Sequence, residues 1–73
     1  MAVTSERLWR LRKDHTWIDA RLRDRPDADG VELQFFYDGV LVVERRCLSR
    51  EAALAEANDR QRDFQRAGWV THW

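Results

Sequence analysis

Few side chains in this 73-residue chain could do chemistry, and their spacing limits each of them. Cys47 lies two residues before Ser49, which reads as the cap of a helix. A helix N-terminus can lower a thiol pKa and sharpen the sulfur as a nucleophile. Nucleophilic catalysis also needs a base, and the base needs a group that orients it. His15 falls in a turn and His72 stands two residues from the last position, so neither is spaced to serve Cys47. Cys47 therefore reads as a small apolar residue packed under the helix. The carboxylates of Asp27 and Asp29 lie beside Pro26 in a loop, where nothing dries them or holds their separation. Cys47, His15 and His72 include no close-spaced ligand pair, and a lone cysteine rules out an internal disulfide. Gly30, Gly39 and Gly68 punctuate turns and form no phosphate loop. We expect no catalytic residue, no cofactor and no metal, and hence no enzyme.

The second constellation is basic and aromatic. Arg10, Arg12, Trp17 and Arg21 fall on one face of the first hairpin described below. Arginine beside an exposed aromatic on a sheet suits single-stranded nucleic acid, which stacks its bases and is held by its phosphates. Asp19 falls opposite Arg10 and compensates part of that charge. The whole chain carries 13 basic and 13 acidic residues, so nothing draws it as a body toward nucleic acid or anionic lipid. Twelve of the basic residues are arginine and one is Lys13, a bias that fits a natural gene from a GC-rich genome.

The elements that must carry these residues follow from periodicity and turn chemistry. Residues 1–5 read as a disordered start. Residues 8–13 and 16–22 flank Asp14-His15 as a hairpin with a two-residue turn, and His15 falls where that turn wants a positive φ. Pairing Lys13 with Thr16 sets Leu11 opposite Ile18, Trp9 opposite Ala20 and Arg7 opposite Leu22. The other face then pairs Arg10 with Asp19 and Arg12 with Trp17. Residues 24–30 are a loop rich in Asp, Pro and Gly. Val31–Tyr37 and Val40–Leu48 flank Asp38-Gly39, the strongest hairpin signal in the chain. Its expected register opposes Tyr37 with Val40, Phe35 with Val42 and Leu33 with Glu44. On the second face, Phe36 meets Leu41, Gln34 meets Val43 and Glu32 meets Arg45. Ser49 opens a helix running to Ala67, with Glu51 in its first turn. Its apolar stripe of Ala53, Leu54, Ala57, Phe64 and Ala67 is interrupted by Arg60 and Gln61. Glu56 and Arg60 are an i,i+4 pair. Gly68 closes the helix at C′ and places Trp69 at C″, against Phe64. Residues 68–73 form a tail that can lie along the sheet.

The fold expected is α+β: a four-stranded antiparallel β-meander followed by one C-terminal helix packed on one sheet face, ββββα. All of residues 1–73 form a single small domain, with two hairpins over 7–48, a helix over 49–67 and a tail over 68–73. A chain this short buries only roughly 60% of the surface it exposes when unfolded, so its stability margin is thin. No stretch approaches the roughly 20 apolar residues of a membrane span. Met1–Arg12 contains no apolar run, so no export signal and a cytoplasmic location are expected.

The third constellation is apolar. The second hairpin is hydrophobic on both faces, and one helix can cover only one. Phe36, Leu41 and Val43, extended by Trp17, form a candidate interface on the other. Large contiguous apolar patches are uncommon on monomers and mark interfaces. Either Trp69, Val70 and Trp73 fold back over it, or a second copy of the chain does.

The stretch Leu8-Trp9-Arg10-Leu11-Arg12-Lys13-Asp14 resembles the start of small uncharacterised proteins of GC-rich bacteria. Val31-Glu32-Leu33-Gln34-Phe35 before Asp38-Gly39, then Arg45-Arg46, then an Ala-rich helix ending in Gly68-Trp69 extend the resemblance over most of the chain. It implies a domain without an assigned activity, and no functional residue transfers. The ending also resembles the helix-then-aromatic close of the Trp-Gly-Arg domain family, but the tripeptide itself is missing. The function expected is a non-enzymatic protein-interaction or homodimerising module, its partner being itself or another protein. The alternative is a weak single-stranded nucleic-acid binder using Arg10, Arg12, Trp17 and Arg21.

Overall fold

A computed structural model describes residues 5–24 and 30–71. Five strands and one helix follow in order: β1 Ser5–Lys13, β2 Thr16–Asp24, β3 Val31–Tyr37, β4 Val40–Cys47, α1 Arg50–Arg66 and β5 Val70–Thr71. The strands make one antiparallel sheet in the order β4-β3-β2-β1-β5. This is the expected meander with its C-terminal helix, and the tail adds a short fifth strand along β1. Ser5 already pairs with Arg23, so β1 starts earlier than expected and only residues 1–4 of the anticipated disordered start lie outside the described residues. Asp24 likewise belongs to β2, opposite Val31, rather than to the loop, of which 25–29 lie outside the described residues.

Both two-residue turns form where the sequence places them. In the first, Asp14 and not His15 takes the positive φ, at 56°. Aspartate tolerates this region because its short side chain hydrogen-bonds locally. In the second, Asp38 and Gly39 both have positive φ, as a tight hairpin requires. Asp38 also ties the hairpins together. Its N–H donates to the Trp17 carbonyl at 3.0 Å, and its Oδ1 accepts from the Trp17 N–H at 2.9 Å.

Two β-bulges change the expected registers. Near the turn, Lys13–Thr16 to Trp9–Ala20 pair as expected. A bulge at Leu8 then sets Arg7 opposite Arg21 and Glu6 opposite Leu22, so the expected Arg7–Leu22 pair does not form. A bulge re-aims the side chain beside it; here it moves Arg7 away from the apolar face. In the second hairpin, Tyr37–Val40 and Phe36–Leu41 pair as expected. A bulge at Val42 then opposes Phe35 with Val43, Gln34 with Glu44, Leu33 with Arg45 and Glu32 with Arg46. The slip lets Gln34 donate to Glu44 at 2.9 Å and turns Arg45 toward the helix, where it meets Glu56 at 2.6 Å.

The helix packs on the face carrying Trp9, Leu11, Ile18, Ala20, Leu22, Leu33 and Phe35, all buried. Ala53 and Ala57 are its buried contacts, small enough to let the helix approach closely. The Trp9 indole N–H donates to the Ala57 carbonyl at 3.1 Å, which fixes helix to sheet through a buried polar bond. Ser49 caps the helix, its hydroxyl accepting from the Ala52 N–H at 3.1 Å. At the other end the Gly68 N–H donates to the Gln65 carbonyl and the Trp69 N–H to the Phe64 carbonyl, a Schellman closure. Lys13 Nζ adds a bond to the Ala67 carbonyl at 2.8 Å. Trp69 stacks edge-on to Phe64, as expected, and to Tyr37.

Candidate functional site

Three surfaces collect the residues with functional potential. The first is the outer face of the sheet, opposite the helix. Arg10, Arg12, Trp17 and Arg21 do come together there. The Arg10 and Arg12 guanidinium carbons lie 5.2 and 5.5 Å from the Trp17 ring centroid, and that of Arg21 lies 4.7 Å from the Phe36 ring centroid. Their focus is Asp19, which is only 5% exposed although it points away from the helix. Arg10 Nε donates to Asp19 Oδ1 at 2.7 Å and its Nη2 to Oδ2 at 3.0 Å. Arg21 and Arg7 approach Oδ2 at 3.4 and 3.9 Å. Burial pushes the Asp19 carboxyl up, but the Arg10 hydrogen bonds and the charges of Arg10 and Arg7 outweigh it and hold the group below the usual carboxylate range. The same pairing raises the Arg10 pKa further. The sequence indicated the Arg10–Asp19 pair and set Arg21 on the same face; Arg7 joins them only through the bulge at Leu8.

The second surface is β4, one edge of the sheet. Val40, Leu41, Val42 and Val43 are 63%, 44%, 58% and 43% exposed. The candidate interface of Phe36, Leu41, Val43 and Trp17 does not form one patch. The bulge at Val42 turns Val43 to the helix side, opposite Phe35, while Leu41 stays on the outer face opposite Phe36. On that face Phe36 lies under Arg21, and Asp19 and Gln34 neighbour it along the ladder. The outer face is thus polar, and the exposed apolar surface concentrates at the β4 edge and beneath it. Nor does Trp69 fold over the outer face: it packs on the helix side, and Val70 pairs with Arg12 at the far edge. Trp73 lies outside the described residues.

The third surface is a cleft of about 310 Å³ on the helix side, between the C-terminal half of α1 and the β3–β4 hairpin. Phe35, Tyr37, Val42, Val43, Phe64 and Trp69 wall it, and Arg60 stands at it as the one charged lining residue among those described. No single motif marked this cleft in the sequence, because its lining comes from β2, β3, β4, α1 and the residue Trp69 beyond the helix.

Cys47 lies half-buried opposite Val31. Burial, aided by Glu56 and opposed by Arg45, pushes its thiol above the ordinary value. A raised thiol pKa is the reverse of what an activated nucleophile needs. His15 is exposed in its turn, and His72 lies outside the described residues. Among the described residues no group of three His, Cys, Asp or Glu could hold a metal ion, and no helix is long and apolar enough to cross a membrane. No family model, no curated protein and no solved structure matches the chain.

Proposed function

We propose that the protein is a non-enzymatic interaction module that pairs with a second copy of itself through the β4 edge. The observation that carries this reading is the row Val40–Val43, each residue at least 43% exposed on a strand whose outer edge has no neighbouring strand among the described residues. Edge strands offer unpaired N–H and C=O groups and add further strands readily unless they are blunted. The sequence of β4 is also self-complementary. An antiparallel register centred on Arg45 sets Glu44 of each copy opposite Arg46 of the other, two reciprocal ion pairs on the outer face. Arg45 then meets its own equivalent, but each is already neutralised by Glu56 of its own helix at 2.6 Å. Val43 meets Cys47, so apolar surface is covered on the helix side. Sedimentation equilibrium in the micromolar range tests the reading: a dimer is expected, and a clean monomer throughout that range would remove it.

A second reading is favoured by the outer face. Its strand register places Arg7, Arg10, Arg12, Arg21, Arg23 and Arg46 against Asp19, Glu32 and Glu44, six positive charges and three negative. Such an excess suits a weakly bound single-stranded nucleic acid. Binding would have to compete with Asp19 for Arg10 and with two guanidiniums for the Trp17 ring. Fluorescence quenching by an oligonucleotide at low salt, reversed by added salt, is the expected signature; no quenching at low salt ends it.

A further inference from the structure

The cleft beneath β4 has a composition that specifies a ligand. Its walls are almost wholly apolar, and Tyr37, Val42 and Val43 are left 42%, 58% and 43% exposed around it. The edge-on contacts Phe64–Trp69 and Tyr37–Trp69, with centroids 6.0 and 6.3 Å apart, brace one side, so the hollow is preformed. Helix position 60 follows Ala57 by three and precedes Phe64 by four, within the apolar stripe, yet it carries arginine. The expected intrahelical partner of Arg60 is taken: Glu56 binds Arg45 from β4 instead. No hydrogen bond or ion pair to Arg60 occurs among the described residues.

An apolar cleft with one convergent cation suits a ligand with an apolar body and a single anionic end. A guanidinium matches a carboxylate in two-pronged geometry. With one arginine and no second cation among the lining residues, a multiply charged phosphate would be left undercompensated. The volume of about 310 Å³ stands at the small end of the roughly 300–1,000 Å³ of small-molecule sites, so the body must be compact. We propose that this cleft binds an aliphatic monocarboxylate of the medium-chain fatty-acid class, its chain against Phe35, Tyr37, Val42 and Val43 and its carboxylate on Arg60.

Val42 and Val43 border both this cleft and the proposed β4-edge pairing, but Arg60 lines the cleft alone, so the Arg60→Gln comparison reads the cleft separately from dimerisation. Calorimetric titration of the full chain with decanoate, below its micelle concentration, tests it. Saturable one-to-one binding is expected, weakened about tenfold or more by Arg60→Gln, in line with the loss of one charge-assisted pair. Decanol, with the same chain and no charge, is expected to bind wild type and Arg60→Gln alike. Arg12→Gln, on the outer face, is expected to leave decanoate binding unchanged. Circular dichroism of each variant keeps a folding defect separate from a binding defect. Absence of decanoate binding to folded wild-type protein overturns the proposal. So does equal binding by Arg60→Gln, or a loss confined to Arg12→Gln, which would place the anion on the arginine-rich face.

Discussion

Across the first hairpin, the Arg10 guanidinium closes on the Asp19 carboxylate with both prongs, Nε to Oδ1 at 2.7 Å and Nη2 to Oδ2 at 3.0 Å. The carboxylate is nearly dry, and nitrogens of Arg7, Arg10 and Arg21 stand within 3.9, 2.7 and 3.4 Å of it. Removing its charge leaves three guanidiniums facing one another without a counter-charge.

Asp19→Asn is therefore expected to lower stability at neutral pH by about 1–3 kcal/mol, as for a charged hydrogen-bond acceptor lost from a buried site. The pH dependence has a definite sign. Asp19 has a folded-state pKa below its unfolded value, so its stabilisation is fully present above the unfolded value of about 3.9 and is lost as pH falls through the lower folded value. Urea unfolding of both proteins from neutral to acid pH should show the difference between them shrinking at the acid end. A difference that stays constant with pH would mean that the charge of Asp19 is not what stabilises the hairpin.

Gly30 enters β3 with φ 93°, and a Cβ there would stand 2.4 Å from the Cys47 carbonyl oxygen. Strain and collision act together, because that oxygen belongs to the backbone of β4 and cannot swing aside. Gly30→Ala is expected to cost at least about 1–3 kcal/mol, the usual cost of such a backbone conformation alone. Gly68 is the control: φ is 102°, but the nearest atoms to a Cβ belong to the flexible Lys13 side chain at 3.6 and 3.7 Å. Gly68→Ala should cost strain without collision. Thermal melts of the two variants compare them, and a Gly30→Ala protein as stable as Gly68→Ala would contradict the close approach.

These positions also explain what the sequence made legible. Asp38-Gly39 announces its turn because few residues tolerate positive φ, whereas at Asp14-His15 the place of the turn was legible but its positive φ falls on Asp14 and not on His15; the ladder near each turn follows from the turn's length. The bulges at Leu8 and Val42 carry no such signature. Each is selected by contacts across the sheet or with the helix: Arg7 with Asp19 in one, Gln34 with Glu44 and Arg45 with Glu56 in the other. Local spacing suggested Glu56–Arg60 because i,i+4 neighbours always meet on a helix, but Arg45 from β4 won the carboxylate. That substitution of partners leaves Arg60 at the cleft, so the candidate ligand site was hidden by the same long-range choice that hid the register. In the outer-face cluster, Arg10–Asp19 was legible because it lies on the turn side of the first bulge, and Arg21 because β2 keeps its alternation, while Arg7 lies beyond the bulge and was not.

Cys47 tests the reading that its environment is structural. Burial under the helix and the nearby Glu56 raise its thiol pKa, so the thiolate fraction at neutral pH is below that of a free cysteine. Its reaction with a disulfide reagent is expected to be about tenfold or more slower than that of a small thiol at the same pH, and to reach the small-thiol rate in denaturant. Reaction in the folded protein faster than the free thiol would instead mark an activated sulfur.

Charge exchange on β4 discriminates the proposed self-pairing from any other use of that edge. Glu44 and Arg46 both lie on the outer face, and in the register centred on Arg45 each faces the other's equivalent in the second copy. Glu44→Arg sets arginine against arginine twice, and Arg46→Glu sets glutamate against glutamate twice. Each is expected to weaken dimerisation by about tenfold or more, since like charges placed opposite each other oppose association. The double exchange Glu44→Arg, Arg46→Glu restores opposite charges in the same register and should recover most of the affinity. Both side chains are exposed, so the monomer fold should tolerate all three variants, and circular dichroism checks that it does. Sedimentation equilibrium reads the dissociation constants. If the single variants weaken the dimer and the double exchange does not rescue it, copies associate in another register; if neither single variant has an effect, β4 is not where they meet.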